Sequence, residues 1–225
     1  MSRHLQNDLT YLDQDILAQS SIVEEMIDKA CQALSEGRGD LAIEVQTYEP
    51  EVNRREIRIE EECLKILALH QPVAVDLRRV ATVLKVNAEL ERIADLAANI
   101  AERTQSLTQF PDFPVPETLG RMATMASEMV HEALDSFVEL DVEAAHRVCR
   151  QDDEVDQFNV ELIHELRQMM REDPDNVEPA LHFFSASRQI ERIADHATNI
   201  AEDALYLVEG EILRHQGISR EVENG

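Results

Sequence analysis

Apolar residues recur every three to four positions along almost the whole chain, the spacing of one buried face on an α-helix. Leu5, Leu9, Leu12, Ile16, Val23, Ile27, Ala30 and Leu34 make the first such stripe. It stops at Gly37-Arg38-Gly39, and Asp40 is placed to cap the next helix, because Asp accepts hydrogen bonds from the free N–H groups of a first turn. The second helix carries Ala42, Val45, Val52, Ile59, Cys63 and Leu67 and ends near Gln71-Pro72. A third starts around Val73 and runs through Leu84, Leu90, Ile93, Ala97 and Ile100 to about Leu107. The stretch Phe110-Pro111-Asp112-Phe113-Pro114-Val115-Pro116 then supplies three prolines, which a helix interior does not tolerate.

The pattern restarts beyond the prolines. A fourth helix over 117–139 shows Leu119, Met122, Met125, Met129, Ala133 and Phe137, with the methionines read as core. Asp141 caps a fifth, which Asp173-Pro174-Asp175 breaks, and a sixth runs from about 177 into the 210s. Short connections make neighbouring helices antiparallel. The expected fold is all-α: two tandem three-helix bundles, residues 1–109 and 117–225, joined by a proline-rich linker over 110–116.

The halves are also a sequence repeat. Residues 91–102 read ERIADLAANIAE and residues 191–202 read ERIADHATNIAE, identical at ten of twelve positions. The middle helices match more weakly, with Ala42, Val45, Glu49, Val52 and Asn53 falling on Ala145, Val148, Asp152, Val155 and Asp156. On a wheel of about 100° per residue, Glu91, Asp95, Asn99 and Glu102 share one side, and Ile93, Ala97 and Ile100 lie opposite. Glu191, Asp195, Asn199 and Glu202 repeat this ladder. Oxygen-only donors one turn apart, about 6 Å along the axis, suit hard or borderline cations such as Mg, Mn, Ca or Fe. One helix offers too few ligands, so the middle helix must face it with Glu49, Asn53, Glu56 and Glu60, or with Asp152, Asp156 and Asn159. The residues alone leave metal binding and a plain acidic face both open. His196, beside Asp195, is a candidate to support a ligand from behind.

Charge narrows the classes. The chain has 21 basic and 46 acidic residues, net −25, with Lys only at 29, 65 and 85. Such a field does not attract nucleic acid or anionic lipid. No apolar run is long enough to span a bilayer, so no membrane insertion is expected, and no secretory leader is visible. Cys31, Cys63 and Cys149 are far apart and read as core-filling thiols, and the expected compartment is the cytoplasm. Glu-x-x-His pairs, the mark of di-iron bundles, occur at Glu128/His131, Glu143/His146 and Glu161/His164. The wheel points the first and third away from the core, and the second sits in a first turn without a partner pair. No phosphate-binding glycine loop or Ser/His/Asp set is present, so the expectation is a protein that is not an enzyme. A di-iron-type enzyme and a metal-free scaffold are the alternatives.

The two ERIAD segments, each followed by Asn-Ile-Ala-Glu, together with Glu61-Glu62-Cys63-Leu64 and Gln71-Pro72-Val73-Ala74-Val75-Asp76-Leu77-Arg78, resemble the signature of the PhoU family of phosphate-uptake regulators. The resemblance covers nearly the whole chain in order. It implies two three-helix bundles and a cytoplasmic negative regulator. Its partners would be the ATPase subunit of the phosphate ABC transporter and a phosphate-sensing histidine kinase of the phosphate regulon. It also implies metal ions on acidic helix faces, Fe foremost, with Zn, Mn or Mg as other choices. Carried over by position, one site uses Glu49, Asn53, Glu91 and Asp95, the other Asp152, Asp156, Glu191 and Asp195. Asn53 stands where the family pattern has an acid, and Pro50 follows Glu49, so the first ligand set is the weaker. A homodimer is expected.

Overall fold

A computed structural model of the chain describes residues 3–210. Among these it contains six α-helices and no strand: α1 (Arg3–Glu36), α2 (Gly39–His70), α3 (Ala74–Leu107), α4 (Glu117–Glu139), α5 (Val142–Glu172) and α6 (Val177–Glu209). The helices α1 to α3 pack on one another, as do α4 to α6, giving two tandem three-helix bundles. Each element follows the stripe that predicts it. The expected continuation of the sixth helix into the 210s lies outside the described residues.

Helix ends show how local chemistry sets the boundaries. Asp141 caps α5 as expected, its Oδ1 accepting from the N–H groups of Glu143 at 2.9 Å and Ala144 at 3.1 Å. Asp40 does not cap α2. That helix begins at Gly39 with Arg38 in the cap position, two residues early, so Asp40 sits inside the first turn and its carboxylate is taken by the Arg38 guanidinium. An acid there still opposes the positive end of the helix dipole. Pro50 lies within α2 without ending it. A single 3-10 turn over Pro174–Asn176 joins α5 to α6, with Asp173 accepting from the Asp175 N–H at 2.9 Å.

The bundles are fused along their length. One continuous set of buried apolar side chains runs from Leu5 to Leu205, and α3 lies against α6 while α1 lies against α4. Contacts between α3 and α6 step in opposite directions: Arg78 beside Gly210, Lys85 with Asp203, Glu89 with His196. The two helices are therefore antiparallel and cross near Ile93–Ala94 and Ile193–Ala194. Ala94, Ala97, Ala101 and their counterparts Ala194, Ala197, Ala201 are all buried, small enough to let the backbones approach closely. Much of the repeated signature is thus packing: its acids face outward and its Ile and Ala residues build the seam between the repeats. The linker is also anchored, with Phe113 stacked on Phe183 at 5.6 Å between ring centroids. Met122 and Met129 are fully buried, Cys31 and Cys63 are buried, and Cys149 is half-buried.

Candidate functional site

In the second repeat α6 carries Glu191 and Asp195 one turn apart, and α5 carries Asp152 and Asp156. The four act on one another. Burial pushes the Asp152 carboxyl up to about 6, the charges of Asp195, Asp156 and Asp153 add to the rise, and the nearby Thr198 hydroxyl opposes it. Asp195 is raised by burial and by Asp156. Glu191 is raised by burial, with Asp156 and Asp195 contributing, despite an ion pair with Arg188. Like charges held on two half-buried helix faces thus resist full ionisation.

The first repeat is built differently. Burial raises Glu91, and the carboxylates that add to this are Asp95 on the same helix and Glu56 on α2. Glu49 is half-buried and Asn53 exposed on the same α2 face. Glu56 is itself raised by burial and by Glu60. The residue of the second repeat equivalent to Glu56 is Asn159, a buried amide whose Oδ1 accepts from the Ser187 hydroxyl at 3.1 Å. The repeats therefore share a ladder on α3 and α6 but meet it with different partners. Asn99 is half-buried, while Glu102 is exposed and lies 3.9 Å from Arg103.

The donor chemistry of the second repeat suits a hard divalent cation, which would relieve the mutual repulsion of Asp152, Asp156, Glu191 and Asp195. Among the described residues, however, no three His, Cys, Asp or Glu side chains converge to metal-binding separation. A cation there would have to draw these side chains together.

Sequence reasoning missed the polar pairs that stitch the repeats. His196 is buried and its Nδ1 lies 2.6 Å from Glu89 Oε2, which also accepts from Asn199 Nδ2 at 3.2 Å. Burial pushes the Glu89 carboxyl up, but the His196 and Asn199 interactions outweigh it and hold the group below its usual range. The signal was present: His196 replaces Leu96 inside an otherwise repeated block. Deeper along the seam Lys85 Nζ lies 2.8 Å from the buried Asp203 Oδ1 and 4.9 Å from the Tyr206 ring centroid. His131 turns toward α1 and not into its own bundle, so the Glu128/His131 pair does not form an inward di-iron ligand set.

These features define a strand-free tandem-repeat helical bundle, among the described residues, that presents acidic faces and has no helix long and apolar enough to cross a membrane. The PhoU domain pattern matches residues 16–104 and 119–204, one match per repeat. The phosphate-specific transport system accessory protein PhoU homolog of Deinococcus radiodurans is 38% identical over 210 residues, 93% of this chain and 99% of its own length. The protein of the same name from Aquifex aeolicus is 38% identical over 93% of this chain and 95% of its own. The crystal structure of PhoU from Pseudomonas aeruginosa superposes with a TM-score of 0.88 at 36% identity, covering 92% of this chain and 99% of that one. The phosphate transport system regulatory protein PhoU from Streptococcus pneumoniae gives 0.85 at 26% identity, covering 92% and 98%. The chain belongs to the PhoU family.

Proposed function

We propose that this chain is an accessory regulator of phosphate-specific transport, restraining uptake and phosphate-regulon signalling when phosphate is plentiful. The observation that carries this is the match of both repeats, in order and over nearly the full length, to proteins named as phosphate transport accessory proteins. The chain would act by contact, with the ATPase subunit of the phosphate ABC transporter and with the phosphate-sensing histidine kinase, favouring one state of each. This is the role of a cytoplasmic binding protein and not of an enzyme. A homodimer would present two copies of each acidic face. Asp152, Asp156, Glu191 and Asp195 would hold a metal ion, Fe foremost, and the ion would supply charge neutralisation that sets the shape of that face. Glu91 and Asp95 with Glu49, Asn53 and Glu56 would form the weaker counterpart.

The test is removal of the gene from the source organism, with phosphate-regulon expression read in phosphate-rich medium. High expression that falls when the wild-type chain is restored is expected, together with saturable binding of the purified chain to the transporter ATPase subunit or the kinase. Unchanged expression after deletion, with no binding to either protein, would refute the regulatory reading.

A further inference from the structure

The contact between α1 and α4 holds a histidine whose two ring nitrogens both face carboxylates. His131 Nδ1 lies 2.9 Å from Glu24 Oε1, and Nε2 lies 3.2 Å from Asp28 Oδ1. The same Asp28 oxygen accepts from the Ser127 hydroxyl at 2.6 Å. A neutral imidazole has one N–H and one bare nitrogen, and an ionised carboxylate only accepts. Both contacts are satisfied together only by the imidazolium. The two nitrogens point in divergent directions, so a single metal ion cannot take the ring and both acids. The species that fits is a proton.

The surroundings favour that charge. From α1 the ring meets Glu24 and Asp28, and on α4 itself Asp135 acts on Glu24 while Glu128 lines the same cleft. Arg147 of α5 does not compete, because Glu132 holds it at 2.6 Å. The helix α6 meets α4 through apolar core residues. Burial works against a charged imidazole, yet the two carboxylates outweigh it and the His131 pKa is raised from 6.5. Burial also raises Glu24, against the pull of His131.

We propose that His131 is a proton-operated latch between the two repeats, tying α1 to α4 when protonated and releasing that edge of the seam when neutral. The sign follows from the raised value: the latch contributes fully below about 6.5 and is lost as pH rises through the higher folded pKa. A cleft of about 370 Å³ already lies beside the ring, lined by Asp28, Cys31, Ser127 and Glu128 among others, and release would widen it toward Cys31. Cys31 is a built-in reporter. It sits in this seam with Sγ 3.7 Å from the Ala123 carbonyl oxygen of α4, and burial pushes its thiol up to about 12.

The experiment follows alkylation of Cys31 by peptide mass mapping from pH 6 to pH 9 in the full chain, in His131→Arg and in His131→Gln. Comparison at equal pH cancels the general rise in thiolate. Arg keeps a fixed cation and Gln none. Wild type should match the Arg variant at pH 6 and label several-fold faster at pH 9, and the Gln variant should label fast throughout. A wild-type rate that tracks the Arg variant at every pH would overturn the proposal, as would an identical profile in all three. Titration of the His131 ring by NMR in the wild type decides the matter alone if the variants fail to fold. A midpoint above 6.5 is required, and one at or below it overturns the latch.

Discussion

The Lys85–Asp203 pair offers a sharp quantitative test, because its two members are buried unequally. The Asp203 side chain is 2% exposed and that of Lys85 is 37% exposed. Lys85→Met removes a cation that pairs with a buried carboxylate. Breaking a buried pair from one side costs about 3–5 kcal/mol, and the exposure of Lys85 reduces this to about 2–4 kcal/mol. For a chain of this size each kcal/mol moves Tm by about 2–4 °C, so a loss of about 3 kcal/mol lowers Tm by about 6–12 °C. Asp203→Asn leaves a lysine whose flexible stem can carry its ammonium to water, and the cost falls to about 1 kcal/mol. The double substitution Lys85→Met/Asp203→Leu replaces the pair with apolar groups and is expected to recover most of the loss. Urea and thermal unfolding of the four proteins would measure the order. Equal losses for the two single variants, or a larger loss for Asp203→Asn, would show that burial of the carboxylate does not govern this seam.

The acidic face and the helix ends can be tested in the same way. Asp152 holds its proton to about pH 6 in the folded chain against an ordinary 3.8, so stability contributed by this group falls as pH rises between those values and the penalty is complete above them. Asp152→Asn should therefore raise Tm at pH 8 and leave it unchanged below pH 3.8, and Mn²⁺ should raise the wild-type Tm at pH 8 more than that of the variant. Asp141→Ala should cost about 1 kcal/mol through loss of the α5 cap, while Asp40→Ala should stay within about 0.5 kcal/mol, both read from urea midpoints.

The six helices were legible because long amphipathic stripes leave few alternatives, and the breaks at Gly37, Pro111–Pro116 and Pro174 carry their own backbone chemistry. The start of α2 was harder. A cap at Asp40 and the observed cap position at Arg38 differ by two residues, and the Arg38 guanidinium decides between them by claiming the carboxylate. The acids of the repeated ladder were readable from a wheel, since a wheel reports which side of one helix a residue takes. It does not report which residue of another helix stands opposite. That is why Glu56 emerged as the α2 group acting on Glu91 only once α2 and α3 were packed together. The seam pairs Glu89–His196 and Lys85–Asp203 join residues more than 100 positions apart: His196 is marked by its departure from the repeat, but neither it nor Lys85 shows in the sequence which residue it meets.

The antiparallel crossing of α3 and α6 relates each repeat to the other by an approximate two-fold rotation, as in a dimer of identical half-chains. A true dimer would show every seam contact twice. Here the reciprocal of Glu89–His196 is Gln189 with Leu96, and the reciprocal of Lys85–Asp203 is Ser185 with Arg103. Each charged pair thus exists once, at one end of the crossing. Joining two copies in one gene frees their residues to diverge separately, and this chain has used that freedom to give the pseudo-symmetric body a polarity. One end of the crossing carries both ion pairs, while at the other Leu96, Gln189 and Ser185 stand in the equivalent places beside Arg103. A partner approaching along the α3–α6 axis meets two different ends, so a single copy of this chain can distinguish directions that a symmetric ancestor would have presented as equivalent.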